Sequence, residues 1–253
     1  MTTDAAAIER LAACCEAHLP LTQATPPGYY HSLPLCMLDA VFSIGVRYEA
    51  AFAVVSRYAA HRGISAAELP ALPPTDEQVT TSAFLDDYAH HGVDGMADRI
   101  LCNRQRTSPR NGILKAAAVE RWAKVLAEAG IETMQDAKGE FVSSGGDLPD
   151  PAIEEALLAT PGQRSGMSLE YFILLLGDEM RIKPDRRIKA FLDAALGAHV
   201  EDNARVIHLL QQTCARLAPS YRNLTPRRLD KLIWEQQRAR NRCSVCAGAV
   251  RSQ

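Results

Sequence analysis

Asp185 is the residue of this chain best placed to do chemistry. It is the only acid between Arg181 and Lys189, and it stands among five basic residues, Arg181, Lys183, Arg186, Arg187 and Lys189. The segment RIKAFLDAAL that follows reads as a helix, so Asp185 falls at a helix start, where the dipole favours a carboxylate. A carboxylate fixed there can stabilise positive charge developing on a substrate, or orient and deprotonate a water. Its plainer role is that of a cap paired with nearby arginines, because Asp is a favoured N-cap. Upstream, a helix ends near Pro161-Gly162, a compact glycine-bearing turn follows, and an apolar helix starts near Met167. The turn residues Gly162, Gln163, Arg164, Ser165, Gly166 and Met167 form a candidate phosphate site, because amides at a helix N-terminus lack partners and the dipole favours an anion. A plain helix–helix turn is the alternative.

Other residues carry weaker signals. Arg104, Arg106, Arg110 and Lys115 lie in a stretch without acids from Arg99 to Val119, which suits either phosphate contact or a solvated loop. Tyr29, Tyr30 and His31 form a run of aromatic rings, and the two tyrosines suit a core. Asp39 interrupts an apolar segment as a second functional acid or as a buried acid satisfied by hydrogen bonds. His90-His91 reads as exposed loop and receives no role. The seven cysteines include one pair with metal-ligand spacing, Cys243 and Cys246; with no second pair nearby, no metal site is expected. Their odd number and scatter do not form a disulfide framework and point to a reducing compartment.

Helices must position these groups. Ala and Leu dominate, and the segments 7–19, 35–63 and 113–130 place apolar residues three and four apart. Further helices are expected near 151–159, 167–177, 186–197, 202–217 and 226–239, the last opened by Thr225-Pro226. Loop composition marks 25–34, 69–78, 103–112 and 142–151. The fold class is therefore all-α. No apolar stretch is long enough to span a bilayer, and the N-terminus lacks the basic start and apolar block of a secretion signal, so a cytoplasmic protein with no membrane partner is expected. The formal net charge of −2 conceals an asymmetry: residues 1–98 carry −8 and residues 99–253 carry +6. Phosphate binding needs such a locally positive region rather than a basic protein.

The stretch 159–196, ATPGQRSGMSLEYFILLLGDEMRIKPDRRIKAFLDAAL, resembles the hairpin and catalytic-aspartate segment of the helix-hairpin-helix DNA glycosylases, a superfamily that includes endonuclease III and the 3-methyladenine glycosylases. Pro161-Gly162 match the opening of the family's Pro-Gly-x-Gly turn, Tyr171-Phe172 lie within the helix, and Asp185 falls where the essential aspartate falls. Residues 32–58 resemble the first core helices and the DNA-wedging loop between them, which puts Ser43 in the wedge. Residues 109–126 resemble the helix before the hairpin, and 229–246 the last helix with the start of the iron–sulfur loop. The resemblance implies one two-lobed helical domain over 1–253, with the hairpin and catalytic segment at 159–192 and the helices of 1–31 and 202–246 forming part of the second lobe.

Departures from the family pattern narrow the expected activity. Bifunctional members carry a lysine at the start of the second hairpin helix; Gly166 or Met167 stands there, and no lysine lies between Lys138 and Lys183. Ser43-Ile44-Gly45 replace a gap-filling Ser-x-Gln, and too few cysteines follow Cys214 for the family's cluster. The resemblance thus implies a monomeric, cofactor-free, monofunctional glycosylase acting on double-stranded DNA that contains a damaged or modified base. Asp185 would stabilise the sugar cation, Gly162 to Met167 with Arg110 and Lys115 would hold phosphates, and Tyr29, Tyr30 and Ser43 would serve the base pocket or wedge. Tyr29, Tyr30 and His31 are the candidates for stacking against the extruded base or, for the tyrosines equally, core residues. A non-catalytic DNA-binding relative, or a glycosylase aimed at modified bases of foreign DNA, are the alternatives.

Overall fold

The computed structural model describes residues 4–142 and 150–249, with side chains as far as residue 240. The described residues form helices α1 (Asp4–His18), α2 (Leu33–Phe42), α3 (Tyr48–Arg62) and α4 (Thr81–Gly95). These are followed by α5 (Lys115–Glu128), α6 (Met134–Phe141), α7 (Pro151–Leu158) and α8 (Met167–Leu175). The last are α9 (Arg186–Leu196), α10 (Asn203–Leu217) and α11 (Pro226–Ala249). Extended pairing among the described residues is confined to two isolated bridges, Tyr29 with Leu69 and Arg106 with Leu114. The protein is all-helical, and no described helix is long and apolar enough to cross a membrane.

The chain divides into two units, one of Met1–Pro27 with Glu179–Gln253 and the other of Gly28–Asp178. Within the second unit α2 is the centre. All ten of its residues are buried, as a helix apolar on every face requires, and it packs on α3, α5 and α8. Helix α5 contributes Ala116, Val119, Ala123 and Leu126 to the same core, spaced three and four apart and all fully buried. Trp122, Phe141 and Phe172 meet edge to face within this core. The segment 35–63 is not one helix. It breaks at Ser43 to Arg47, where Gly45 takes a φ of +73°, a backbone conformation that glycine reaches at least cost.

The first unit has its own core, built by α1, α9, α10 and α11. Leu11, Cys15, Ile188, Phe191, Leu192, Leu209, Leu210 and Ile233 supply its interior. Two of its helices start on acids: Asp185 caps α9 and Asp202 caps α10, each carboxylate accepting two backbone amides. Such caps satisfy donors that would otherwise be orphaned at the first turn.

Candidate active site

The hairpin belongs to the Gly28–Asp178 unit. Helix α7 stops at Leu158, the Gln163 amide donates to Thr160 O (2.9 Å), and the Gly166 amide donates to Gln163 O (3.0 Å). Two left-handed residues make the reversal, Gly162 at φ +86° and Gly166 at φ +72°, and Gly166 is the N-cap of α8. The turn therefore delivers the chain into α8 with its first amides ahead of it, the arrangement that can receive a phosphate. Arg164 and Ser165 are exposed, Met167 is half-buried, and the Gln163 side chain is 3% exposed. With its side chain enclosed and its amide given to Thr160 O, Gln163 shapes the turn rather than holding a phosphate, contrary to the sequence expectation.

Asp185 belongs to the other unit. It is half-buried and extended at the start of α9, where its Oδ1 accepts from the amides of Arg187 (2.8 Å) and Ile188 (3.1 Å). Among the described residues no hydrogen bond ends on Oδ2. One oxygen is thus fixed by the helix while the other is left for a substrate or a water. The Asp185 amide donates to Lys183 O (2.7 Å), closing a tight turn around buried Pro184. Arg187 stacks its guanidinium on Trp234, 4.6 Å from the ring centre, and Arg238 lies 5.2 Å from the same ring.

Asp230 escapes the sequence reading and is the strongest ionisable feature here. It sits on α11, 8% exposed, and accepts the Lys183 amide at 3.0 Å. Burial first, and the nearby charge of Asp185 second, push its carboxyl up to about 8, against the lowering influence of Lys183 and Arg227. A sequence signal did exist: Asp230 falls in the same helical register as the buried Pro226, Ile233 and Gln237.

The remaining candidates separate by burial. Lys115 is 3% exposed, and its ammonium donates inward to Phe42 O (3.0 Å) and Ile44 O (2.7 Å), holding the α2–α3 loop rather than standing on the surface. Burial lowers its amine to about 8. Arg110 is exposed, whereas Arg104 is engaged by Asp94 and Asp98, and Arg106 donates to Gly112 O. Tyr30 is a core side chain whose hydroxyl donates to Asp39 (3.1 Å), leaving half-buried Tyr29 as the one of the two tyrosines with ring surface. The Tyr29 hydroxyl accepts from Lys138 (3.2 Å). Ser43 closes α2, with its hydroxyl donating to Ala40 O (3.2 Å).

Asp39 is 2% exposed, and its Oδ2 accepts from both Tyr30 and Tyr171, the latter at 2.8 Å. Burial, reinforced by this carboxylate, drives both phenols far above their ordinary range. Among the described residues no group of three His, Cys, Asp or Glu side chains could hold a metal ion. The side chains of Cys243 and Cys246 lie outside the described residues.

The geometry defines an all-helical protein with a glycine-built hairpin in one unit and a helix-capping carboxylate beside a second, buried carboxyl in the other. The model of a family described as a domain of unknown function, DUF8548, matches residues 9–238, and the chain belongs to that family. No curated protein and no solved structure matches it.

Proposed function

We propose that the chain is a monofunctional DNA glycosylase of the helix-hairpin-helix type, which hydrolyses the N-glycosidic bond of a damaged or modified base in double-stranded DNA. The observation that carries this reading is the Asp185 carboxylate, with Oδ1 held by two amides at the start of α9 and Oδ2 unengaged by the described residues. Breaking a glycosidic bond develops positive charge on the sugar, and a fixed carboxylate oxygen stabilises it and orients a water. The base must first leave the stack, which costs a few kcal/mol and requires a receiving pocket. The Gly162–Met167 turn, with Arg164 and Ser165 exposed, would take backbone phosphates. The protein would act as a monomer without a cofactor.

A second reading, a non-catalytic DNA-binding protein, is favoured by one fact: capping α9 already gives Asp185 a structural task. A panel of modified-base duplexes, incubated with the protein and then cleaved at abasic sites with alkali, decides between them. Alkali-dependent breaks at one or more modified bases support the glycosylase. Cleavage at none of the modified bases, with duplex binding retained, supports the binding protein. The same panel, with modified bases of foreign DNA included, separates a repair enzyme from one directed at invading DNA.

A lyase step is not expected. The position where bifunctional members place their lysine is Gly166, whose left-handed backbone a lysine would strain, or Met167. Borohydride, which reduces a Schiff base to a permanent protein–DNA bond, should trap nothing, and strands should stay intact until alkali is added. A strong trapped band lost in Lys183→Ala would overturn this part of the mechanism.

A further inference from the structure

The loop that presents Asp185 is held from α11. Near its start the Arg227 amide donates to Glu179 O (3.1 Å), and the Arg227 guanidinium, 1% exposed, meets Glu179 Oε1 at 3.3 Å. One turn on, Asp230 Oδ1 accepts the Lys183 amide at 3.0 Å, and the Lys183 carbonyl accepts the Asp185 amide at 2.7 Å. A further turn on, Trp234 carries the Arg187 guanidinium. Residues 227, 230 and 234 follow one another at helical spacing, so a single stripe of α11 faces the loop and the start of α9. Asp230 grips the Lys183 peptide unit by its N–H, and Asp185 is bonded to the C=O of that same residue. A shift of Asp230 would therefore reach Asp185 through one residue.

We propose that Asp230 is a positioning residue for Asp185, its carboxyl clamping the Lys183–Asp185 turn so that the reactive carboxylate is delivered in one fixed place. This inference rests on the glycosylase reading and deepens it. The charged groups that bear on Asp230 are Asp185 at the start of α9, Lys183 in the loop and Arg227 on its own helix. Burial outweighs the two cations, and the carboxyl stays protonated up to about pH 8. Below that pH Asp230 adds no charge beside Asp185. Above it a negative charge appears on Asp230 next to the Asp185 carboxyl, where it disfavours that group's fixed geometry and repels the anionic substrate.

Two variants separate the clamp from the charge. Asp230→Asn keeps an oxygen for the Lys183 amide and cannot ionise, whereas Asp230→Ala removes the acceptor. Single-turnover base release from a modified-base duplex, followed from pH 5 to pH 9.5, should fall for the wild type above about pH 8. Asp230→Asn should match the wild type near neutrality and lose that alkaline fall. Asp230→Ala should release base about tenfold more slowly or worse at every pH, a loss of transition-state stabilisation, with duplex binding retained. Hydrogen exchange at the Lys183 amide reads the clamp without any substrate: it should quicken about tenfold or more in Asp230→Ala and stay near the wild-type rate in Asp230→Asn. An unchanged alkaline limb in Asp230→Asn, or unchanged Lys183 exchange in Asp230→Ala, overturns the proposal. A wild type that releases no base from any duplex removes the glycosylase reading and Asp230's catalytic purpose with it, while the exchange rates still show whether the clamp exists. The two failures are thus distinguishable.

Discussion

Asp185→Asn is expected to lower base release by roughly 10²–10⁴-fold while duplex binding holds or tightens. The structure makes this substitution unusually clean. Oδ1 of Asp185 accepts the amides of Arg187 and Ile188, and an asparagine carbonyl can accept the same two. Asn is as good an N-cap as Asp, so α9 should start as before, and urea unfolding should move by no more than a few tenths of a kcal/mol. The variant loses the negative charge on the second oxygen, which the developing sugar cation would need. Asp185→Ala, by contrast, should lose the cap as well, at about 1 kcal/mol of stability. Equal turnover in Asp185→Asn and wild type would show that the carboxylate only caps the helix, and the binding-protein reading would then prevail.

The chemistry-bearing elements were the most legible in the sequence because their signals are local. The start of α9 at Arg186, of α8 at Met167 and of α11 at Pro226 each follow a cap or turn residue that acts within a few positions. Helix α4 was not legible. Its sequence TSAFLDDYAHHGVDG holds two glycines and several acids, and only Thr81, Phe84 and Tyr88 are buried, a stripe too narrow to stand out as periodic. Helix α6 was missed for a related reason: eight residues opened by the Thr133–Asp136 capping box are too few to establish a period.

The site was legible where chain neighbours make it and obscure where tertiary contacts do. Asp185 stood out by its basic surroundings, but Asp230 lies 45 positions later and acquires its importance from the Lys183 peptide that it grips. Lys115, read from an acid-free surface-like stretch, turns inward because the carbonyls at the end of α2 need a donor that only a folded contact can bring. Tyr30 and Asp39 illustrate the same limit. Their pairing, joined by Tyr171 from a helix more than a hundred positions away, decides that Tyr30 is a core residue.

The two hairpin glycines should respond very differently to a methyl group, and the difference tests the turn itself. Both have positive φ, which costs an L-residue about 1–2 kcal/mol. At Gly166 that is nearly the whole cost, because an added Cβ would meet only Leu158 Cδ2, at 4.0 Å. At Gly162 the added Cβ would collide with Cβ and Oγ1 of Thr107 and press on the Thr107 carbonyl, so backbone must move. Thr107 cannot yield easily, since its amide is bonded to Ile113 O at 2.9 Å. Gly162→Ala should therefore cost about 3 kcal/mol or more, strain and overpacking together, against about 1–2 kcal/mol for Gly166→Ala and less for Gly166→Asn. Urea unfolding followed by circular dichroism would measure all three. Duplex binding should weaken in Gly162→Ala, and in a bulky replacement such as Gly166→Phe, by the same factor for every base sequence, because amides at this turn would read phosphates and not bases. A loss confined to one base context would place the turn beside the extruded base instead. Equal stability of Gly162→Ala and Gly166→Ala would mean that Thr107 gives way, and that the hairpin is looser than its two left-handed glycines require.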